Sequence, residues 1–352
     1  MDIYSLLTFM RDVDASDLHI SPNSPPIFRV NGELIRTKMK PLTPENTHML
    51  VYDLMNDEQR KNYEEELEVD FSSEFKGLGR FRVNIFTGYF GDTAVLRAIS
   101  DEILDYDKLG LPEIVKDLVG RDKGLILITG PTGSGKTTTM TTLVSYINKK
   151  YRRHIITIED PVEFIHQSEK SLINHREVGT NTHSFKKALR SALREDPDII
   201  VVGEMRDLET TALAITAAET GHVVFGTLHT NSAPGTINRI IDVFEGEEQA
   251  QIRAQLGSSL VAVISQSLIP KIGGGKCATQ EVLITNPAIA NLVREDKVHQ
   301  IYSQMQLNQA ETKMTTQTNE MIKLLKANKI SKANAIKNSN RPEELIKLID
   351  NM

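Results

Sequence analysis

The sequence predicts an α/β protein: a core built on a parallel sheet, preceded by a smaller α+β domain and followed by a helical region. Three observations predict it. From residue 124 onward, short apolar runs rich in β-branched residues alternate with helical stretches, the pattern of parallel strands covered on both faces. The first hundred residues instead alternate short strands with two helical stretches. Finally, Gly130-Pro-Thr-Gly-Ser-Gly-Lys-Thr137 follows directly on the apolar run Gly124-Leu-Ile-Leu-Ile-Thr129.

Taken in order, residues 1–10 read as an amphipathic helix, with an acid at position 2 and no basic leader, so a signal peptide is not expected. Residues 43–54 read as a helix opened by Thr43-Pro-Glu, and residues 57–66 as a second. Strands are expected at 69–75, 79–89 and 93–99, the last two joined by a turn at Gly91-Asp92. The acidic stretch 100–107, ending in Gly110-Leu-Pro112, reads as a linker. Core strands follow at 124–129, 155–158, 199–203 and 223–228, with helices at about 137–151, 185–194, 207–220 and 233–242. After Ile269 the chain turns through Pro270-Lys-Ile-Gly-Gly-Gly275 and is expected to be mostly helical. The expected domains are 1–100, the linker 101–112, the core 113–270 and the helical region 271–352.

Composition narrows the function classes. At 352 residues and 39% hydrophobic the chain can bury a sizeable core, and it has no apolar run of the ~20 residues a membrane span needs. Its one cysteine, Cys277, excludes an internal disulfide and a cysteine-based zinc site, and a cytoplasmic protein is the simple expectation. A net charge of −6 disfavours a nucleic-acid-coating role. Acid is concentrated in the first 110 residues and base in the last 40, as solvated helix faces or as unlike ends that attract neighbouring subunits.

The spacing Gly130-x4-Gly135-Lys136-Thr137 is the full P-loop pattern. Glycines let successive backbone N–H groups curl around a polyphosphate, and the helix N-terminus behind them favours an anion. Gly130, Pro131, Thr132, Gly133, Ser134, Gly135, Lys136, Thr137 and Thr138 are therefore the candidate ATP-binding residues. Lys136 supplies charge to the β- and γ-phosphates, and the Thr137 hydroxyl is a candidate Mg²⁺ ligand.

Open parallel sheets bind ligands outside the carboxyl ends of their strands. Each of the four expected core strands delivers polar groups there: the P-loop, then Glu159 and Asp160, then Glu204, then His229. Cleaving a β–γ phosphate bond needs a metal, a positioned water and positive charge on the γ-phosphate oxygens. Glu204, ending an apolar strand, is placed to orient Mg²⁺ or to take the proton of water. Glu159 and Glu163 compete with it for the base role. Asp160 before Pro161 also fits a simple turn residue. His229 is the candidate γ-phosphate sensor. His222, at the other end of the same strand and about 23 Å away along an extended chain, cannot share a metal with it and is expected in the core or at an interface.

In Arg80-Phe-Arg-Val-Asn-Ile-Phe86 the period of two separates Phe81, Val83 and Ile85 from Arg80, Arg82 and Asn84. Arg97 ends the following strand. This basic face is either merely solvated or a set of arginine fingers, worth about 10³–10⁵ in rate when supplied across an interface.

With these segments in view the chain resembles the secretion ATPases of type IV pilus and type II secretion systems, and most closely their pilus-retraction branch. The resemblance rests on the Walker A loop, the aspartate box Ile158-Glu-Asp-Pro-Val-Glu-Phe164, the Walker B segment Leu193–Asp207 and the histidine box Thr220–Thr230. Ala15-Ser-Asp-Leu-His-Ile20 and Arg80–Asn84 fit as well. It implies a PAS-like N-terminal domain on a RecA-like core, a homohexamer with ATP between subunits, and arginines presented to nucleotide at Arg80, Arg82 and Arg97. It further implies twitching motility by pilus retraction, a peripheral position at the inner-membrane pilus base, an inner-membrane platform protein as partner and a paralogous retraction ATPase as a second one. Retraction members carry Ala-Ile-Arg-Asn-Leu-Ile-Arg-Glu near the C-terminus; here it reads Ala288-Ile-Ala-Asn-Leu-Val-Arg-Glu295, with Ala290 in place of the first arginine. Extension and secretion members usually add an N-terminal domain, and many a four-cysteine insert, so a retraction motor or its accessory paralogue is expected.

Three rival readings are less well supported by the sequence or look the same in it. A nucleic-acid translocase needs a basic, aromatic-bearing channel, whereas this chain is acidic, 5% aromatic and without Trp. A GTP switch needs Asn-Lys-x-Asp, and the nearest run is Asn148-Lys-Lys-Tyr151. A nucleotide-gated scaffold with little turnover would present the same binding residues.

Overall fold

A computed structural model describes residues 2–99 and 103–351. They fall into two compact units: residues up to 99 together with Asp160–Ile165, and the remainder. The expected boundary at 100 and the first linker residues, 101 and 102, lie outside the described residues.

The first unit holds one six-stranded sheet, ordered β3-β2-β1-β6-β5-β4. Its strands are β1 (Asp17–Ile20), β2 (Ile27–Val30), β3 (Glu33–Arg36), β4 (Glu68–Phe75), β5 (Gly79–Gly88) and β6 (Gly91–Ala98), and every pairing is antiparallel. The inward residues of β5 are fully buried, with Phe81, Val83 and Ile85 at 0% exposure. They pack with Leu6, Leu7 and Met10 from the helix Ile3–Asp12. The helix Pro44–Tyr52 starts where Thr43 caps Asn46, and Asp57–Glu66 starts with a capping box between Asn56 and Gln59. One expected turn moves. Gly88 pairs with Gly91, so the tip of the β5–β6 hairpin is Tyr89-Phe90 and Gly91-Asp92 already belongs to β6. A two-residue tip flanked by glycines wins over the Gly-Asp signal.

The second unit is built on a seven-stranded sheet in the order β13-β12-β7-β11-β10-β8-β9. These are β7 (Gly124–Thr129), β8 (His154–Glu159), β9 (Leu172–Glu177), β10 (Ile199–Val202), β11 (Val223–Leu228), β12 (Leu260–Pro270) and β13 (Lys276–Ile284). All neighbours are parallel except β13, which runs antiparallel to β12 at the edge. Every residue of β7, β10 and β11 is buried, as a sheet covered on both faces requires. Two apolar clusters cover those faces, one around Leu127, Ile200 and Ile215, the other around Ile126, Leu143 and Phe225. The four core strands and their helices fall within one or two residues of the expected bounds. Lys276–Ile284 departs from expectation: it is a strand inside a stretch read as helical. Helices do dominate after it, from Pro287–Arg294 to Pro342–Asp350. From Ile103 on, the residues read as linker belong to the second unit, where Tyr106 and Leu111 are buried in its core. No helix among the described residues is long and apolar enough to cross a membrane.

A histidine pair, His166 buried and His175 partly so, should give this unit a pH response. His166 is 8% exposed and stacks on His175 at 5.8 Å between ring centroids. The His175 ring accepts from the His166 backbone N–H at 3.0 Å and meets the Thr157 hydroxyl at 2.8 Å. Burial, with the His175 ring and Lys149 adding to it, pushes the His166 imidazole down to about 4. The unfolded chain then binds the extra proton first, so this stability is present above about pH 6.5 and lost as pH falls towards 4. The loss is on the order of 3 kcal/mol. Urea midpoints at pH 7 and pH 4.5 should differ more for the native chain than for His166→Gln. Equal pH dependence would show that His166 is not the titrating group.

Candidate active site

The parallel order brings the predicted strand ends together. In register, Thr129 of β7 lies beside Leu228 of β11, and Val202 of β10 beside Gly226. The P-loop, His229 and Glu204 therefore leave three neighbouring strands at one edge.

The loop after β7 is shaped by two demanding glycines. Gly130 has φ +148°, and a Cβ there would come 2.2 Å from the Gln266 carbonyl oxygen. Gly135 has φ +87° and caps the helix Lys136–Lys150, with a Cβ position 2.8 Å from the Gln266 amide nitrogen. Only glycine meets both the sign of φ and the space. That helix has no side-chain cap, so its first N–H groups are left to an anion. These features fit a bound polyphosphate.

Lys136 folds over the loop. Its Nζ donates to the carbonyls of Gly130 at 2.8 Å and Pro131 at 3.1 Å, and reaches His229 Nδ1 at 3.4 Å. The other ring nitrogen, Nε2, lies 3.2 Å from Glu204 Oε1. An ammonium only donates and a carboxylate only accepts, so Nδ1 of His229 accepts from Lys136 and its Nε2–H donates to Glu204. The second Glu204 oxygen takes Arg206 at 2.7 Å. Burial works to raise the Glu204 carboxyl, but Arg206 and His229 outweigh it and hold the group below the usual carboxylate range. Lysine, histidine and glutamate thus form one polar chain across the strand ends.

Glu159 leaves the same edge, since Val202 of β10 pairs with Ile158 of β8 and a Cβ on Gly203 would lie 3.2 Å from the Glu159 Cα. Glu159, at the end of β8, is 4.0 Å from His175. Glu163 sits in Asp160–Ile165, which groups with the first unit, as does Asp160. His222 is at the amino end of β11, its Nδ1 3.1 Å from the Ala217 carbonyl, where it closes the end of the helix Leu208–Glu219. The three arginines are engaged within the first unit. Arg80 donates to Ser72 at 2.5 Å, Arg82 holds Asp70 at 2.6 Å and Arg97 holds the buried Asp17 at 2.7 Å. Arg82 and Arg97 face each other across β5 and β6, and their carboxylates offset that like-charge pair. Ala290 is buried at 8% exposure against the helix Gly246–Ser259, where a Cβ on Gly257 would be crowded at 3.1 Å from the Ala290 carbonyl.

One residue of the site was missed. Gln266, buried in β12, donates to the Ser134 carbonyl at 2.7 Å and accepts from Thr139 at 2.8 Å, tying the end of the loop to the helix that follows it. The signal was a polar residue inside the apolar run Leu260–Ile269, but that run was not among the strands whose ends were followed. For Mg²⁺ the candidate donors read from the sequence are the Thr137 hydroxyl and the Glu204 carboxylate. No group of three His, Cys, Asp or Glu that could hold a metal occurs among the described residues. One hydroxyl and one acid suit an ion that keeps waters and takes phosphate oxygens.

Known proteins are similar to this chain in sequence and fold. A family model described as type II/IV secretion system protein matches residues 3–348. The type IV pilus retraction ATPase PilT of Pseudomonas aeruginosa is 56% identical over 306 residues, 87% of this chain and 89% of that protein. PilU of the same organism, a type IV pilus ATPase, is 40% identical over 302 residues, 86% of this chain and 79% of that protein. A crystal structure of the pilus retraction motor PilT with bound ADP aligns with TM-score 0.92 at 47% identity, covering 99% of each chain. The chain belongs to the type II/IV secretion system protein family.

Proposed function

We propose that this chain is an ATP-hydrolysing motor that drives type IV pilus retraction, and with it twitching motility. It works as a homohexamer on the cytoplasmic face of the inner membrane, pulling on a pilus platform protein. The observation that carries this is the Lys136–His229–Glu204 chain at the edge of a P-loop sheet, in a chain 56% identical to a retraction ATPase. Identity to the paralogue PilU is 40%, which favours the principal motor over an accessory role.

The P-loop N–H groups and Lys136 bind and orient the triphosphate. Thr137 and Glu204 would hold Mg²⁺, which when bound supplies charge to the phosphate oxygens. Glu204 takes the proton of the attacking water, while His229 reports the γ-phosphate to Glu204 through its Nε2–H. Arg80, Arg82 and Arg97 act in trans, on nucleotide held by the adjoining subunit. The division into an N-terminal domain and a core then lets binding clamp the interface and product release loosen it.

Glu204→Gln should lower ATP turnover at least about 10²-fold while nucleotide still binds, with Glu159→Gln and Glu163→Gln costing less. A cell carrying Glu204→Gln should extend pili that fail to retract, scored by imaging labelled pili. Normal retraction in that cell would overturn the proposal. Turnover lost most in the Glu159 or Glu163 variant would move the base to that residue.

A further inference from the structure

A buried carboxylate outside the nucleotide site ties the histidine loop to the C-terminal helices. Glu281, on β13, is 3% exposed. One of its oxygens accepts from the Ala233 N–H at 2.8 Å, at the start of the helix Ala233–Ile241. The other accepts from the Gln317 N–H at 3.5 Å, at the start of the helix Gln317–Lys326. Two helix N-termini thus converge on one acid, whose charge their partial positive ends offset.

Each helix leads on to something that matters. Ala233 comes four residues after His229. On the first turn of its helix the Thr236 hydroxyl lies 2.7 Å from that of Thr230 and 3.3 Å from that of Thr129, the residue before Gly130. On the other side, the Gln317 side chain accepts from the Asn340 N–H at 2.9 Å, and the Asn340 amide donates to the Asn231 carbonyl. The bonds close a ring from Glu281 through Ala233, Asn231, Asn340 and Gln317 back to Glu281. A shift of the C-terminal helices therefore bears on the loop that aims His229.

We propose that Glu281 is a positioning residue for hydrolysis, holding the His229 loop in register with the C-terminal helices so that their displacement gates turnover. This rests on the ATPase reading above. A misplacement of catalytic groups by ~1 Å costs about 10²-fold in rate, so partial loosening should cost about tenfold. Glu281→Gln keeps the shape but offers only one acceptor oxygen to two N–H groups.

The test is steady-state ATPase kinetics on the full chain for Glu281→Gln, Asn340→Ala and the double variant, with nucleotide affinity measured separately. The expected result is a kcat reduced about tenfold in each single variant, KM and nucleotide affinity within about twofold of native, and a double variant no worse than the poorer single one. Unchanged kcat, a loss confined to KM, or losses that simply multiply would overturn the proposal. If Glu281→Gln fails to fold, Asn340→Ala decides alone, since it removes only the bond to Asn231: a lowered kcat at constant KM supports the ring, and native kcat refutes it. A native chain without ATPase activity would instead remove the reading on which the inference rests.

Discussion

Lys136→Ala is expected to lower ATP turnover by about 10²–10³-fold. Lys136 holds the loop carbonyls of Gly130 and Pro131 and faces Nδ1 of His229. Its loss removes the charge aimed at the β- and γ-phosphates and the donor that fixes the His229 tautomer. Both effects grow as charge builds on the phosphate oxygens, so kcat should fall further than nucleotide affinity. Fold stability should change by no more than about 1–2 kcal/mol, because one lost bond is to the part-buried Gly130 carbonyl and the other to the exposed Pro131 carbonyl. Phosphate release, read beside fluorescent-nucleotide binding, separates the two. Activity within about tenfold of native would mean that this loop does not hold the reacting phosphates.

The fold was legible where one physical signal dominated. β7 and β11 are short β-branched runs buried on both sides, and their bounds match the reading residue for residue. β3, Glu33–Arg36, is exposed along its whole length and alternates nothing, so no periodicity marks it. β9, Leu172–Glu177, is an edge strand with a polar sequence, Leu-Ile-Asn-His-Arg-Glu. β13 carries Thr279, Gln280 and Glu281, all buried, which a hydrophobic pattern hides. The site divides the same way. Glu204 and His229 could be placed because each directly follows a readable strand. Gln266 and Glu281 could not, because their partners are loop carbonyls and helix N–H groups distant in sequence. The arginine face was visible through its period of two, but not its carboxylates: Asp70 and Asp17 meet it only through strand pairing.

Those carboxylates shape the second large effect. As a finger acting on a neighbouring subunit, Arg82 should contribute about 10³-fold or more to turnover. To do so it must exchange Asp70 for phosphate. The exchange is cheap, because the Arg82–Asp70 pair is part-exposed, with side chains 40% and 36% accessible, and such pairs contribute little net stability. Arg82→Ala should therefore leave the fold and nucleotide affinity nearly unchanged while turnover collapses. Arg97→Ala is the less clean variant. Asp17 is buried, and without Arg97 it keeps Arg29, at 3.6 Å, and the Ser16 hydroxyl, at 2.8 Å, so the fold itself should weaken. Normal rate and affinity in Arg82→Ala would leave this face as a solvated, salt-bridged surface and nothing more.

The most direct measurement is ATPase rate per chain against protein concentration, with association followed by sedimentation over the same range. If a cation from the adjoining subunit completes cleavage, the rate per chain should climb steeply as the chains assemble and then level off. A rate per chain that stays constant and high down to concentrations where only monomer sediments would contradict the trans mechanism and the motor built on it.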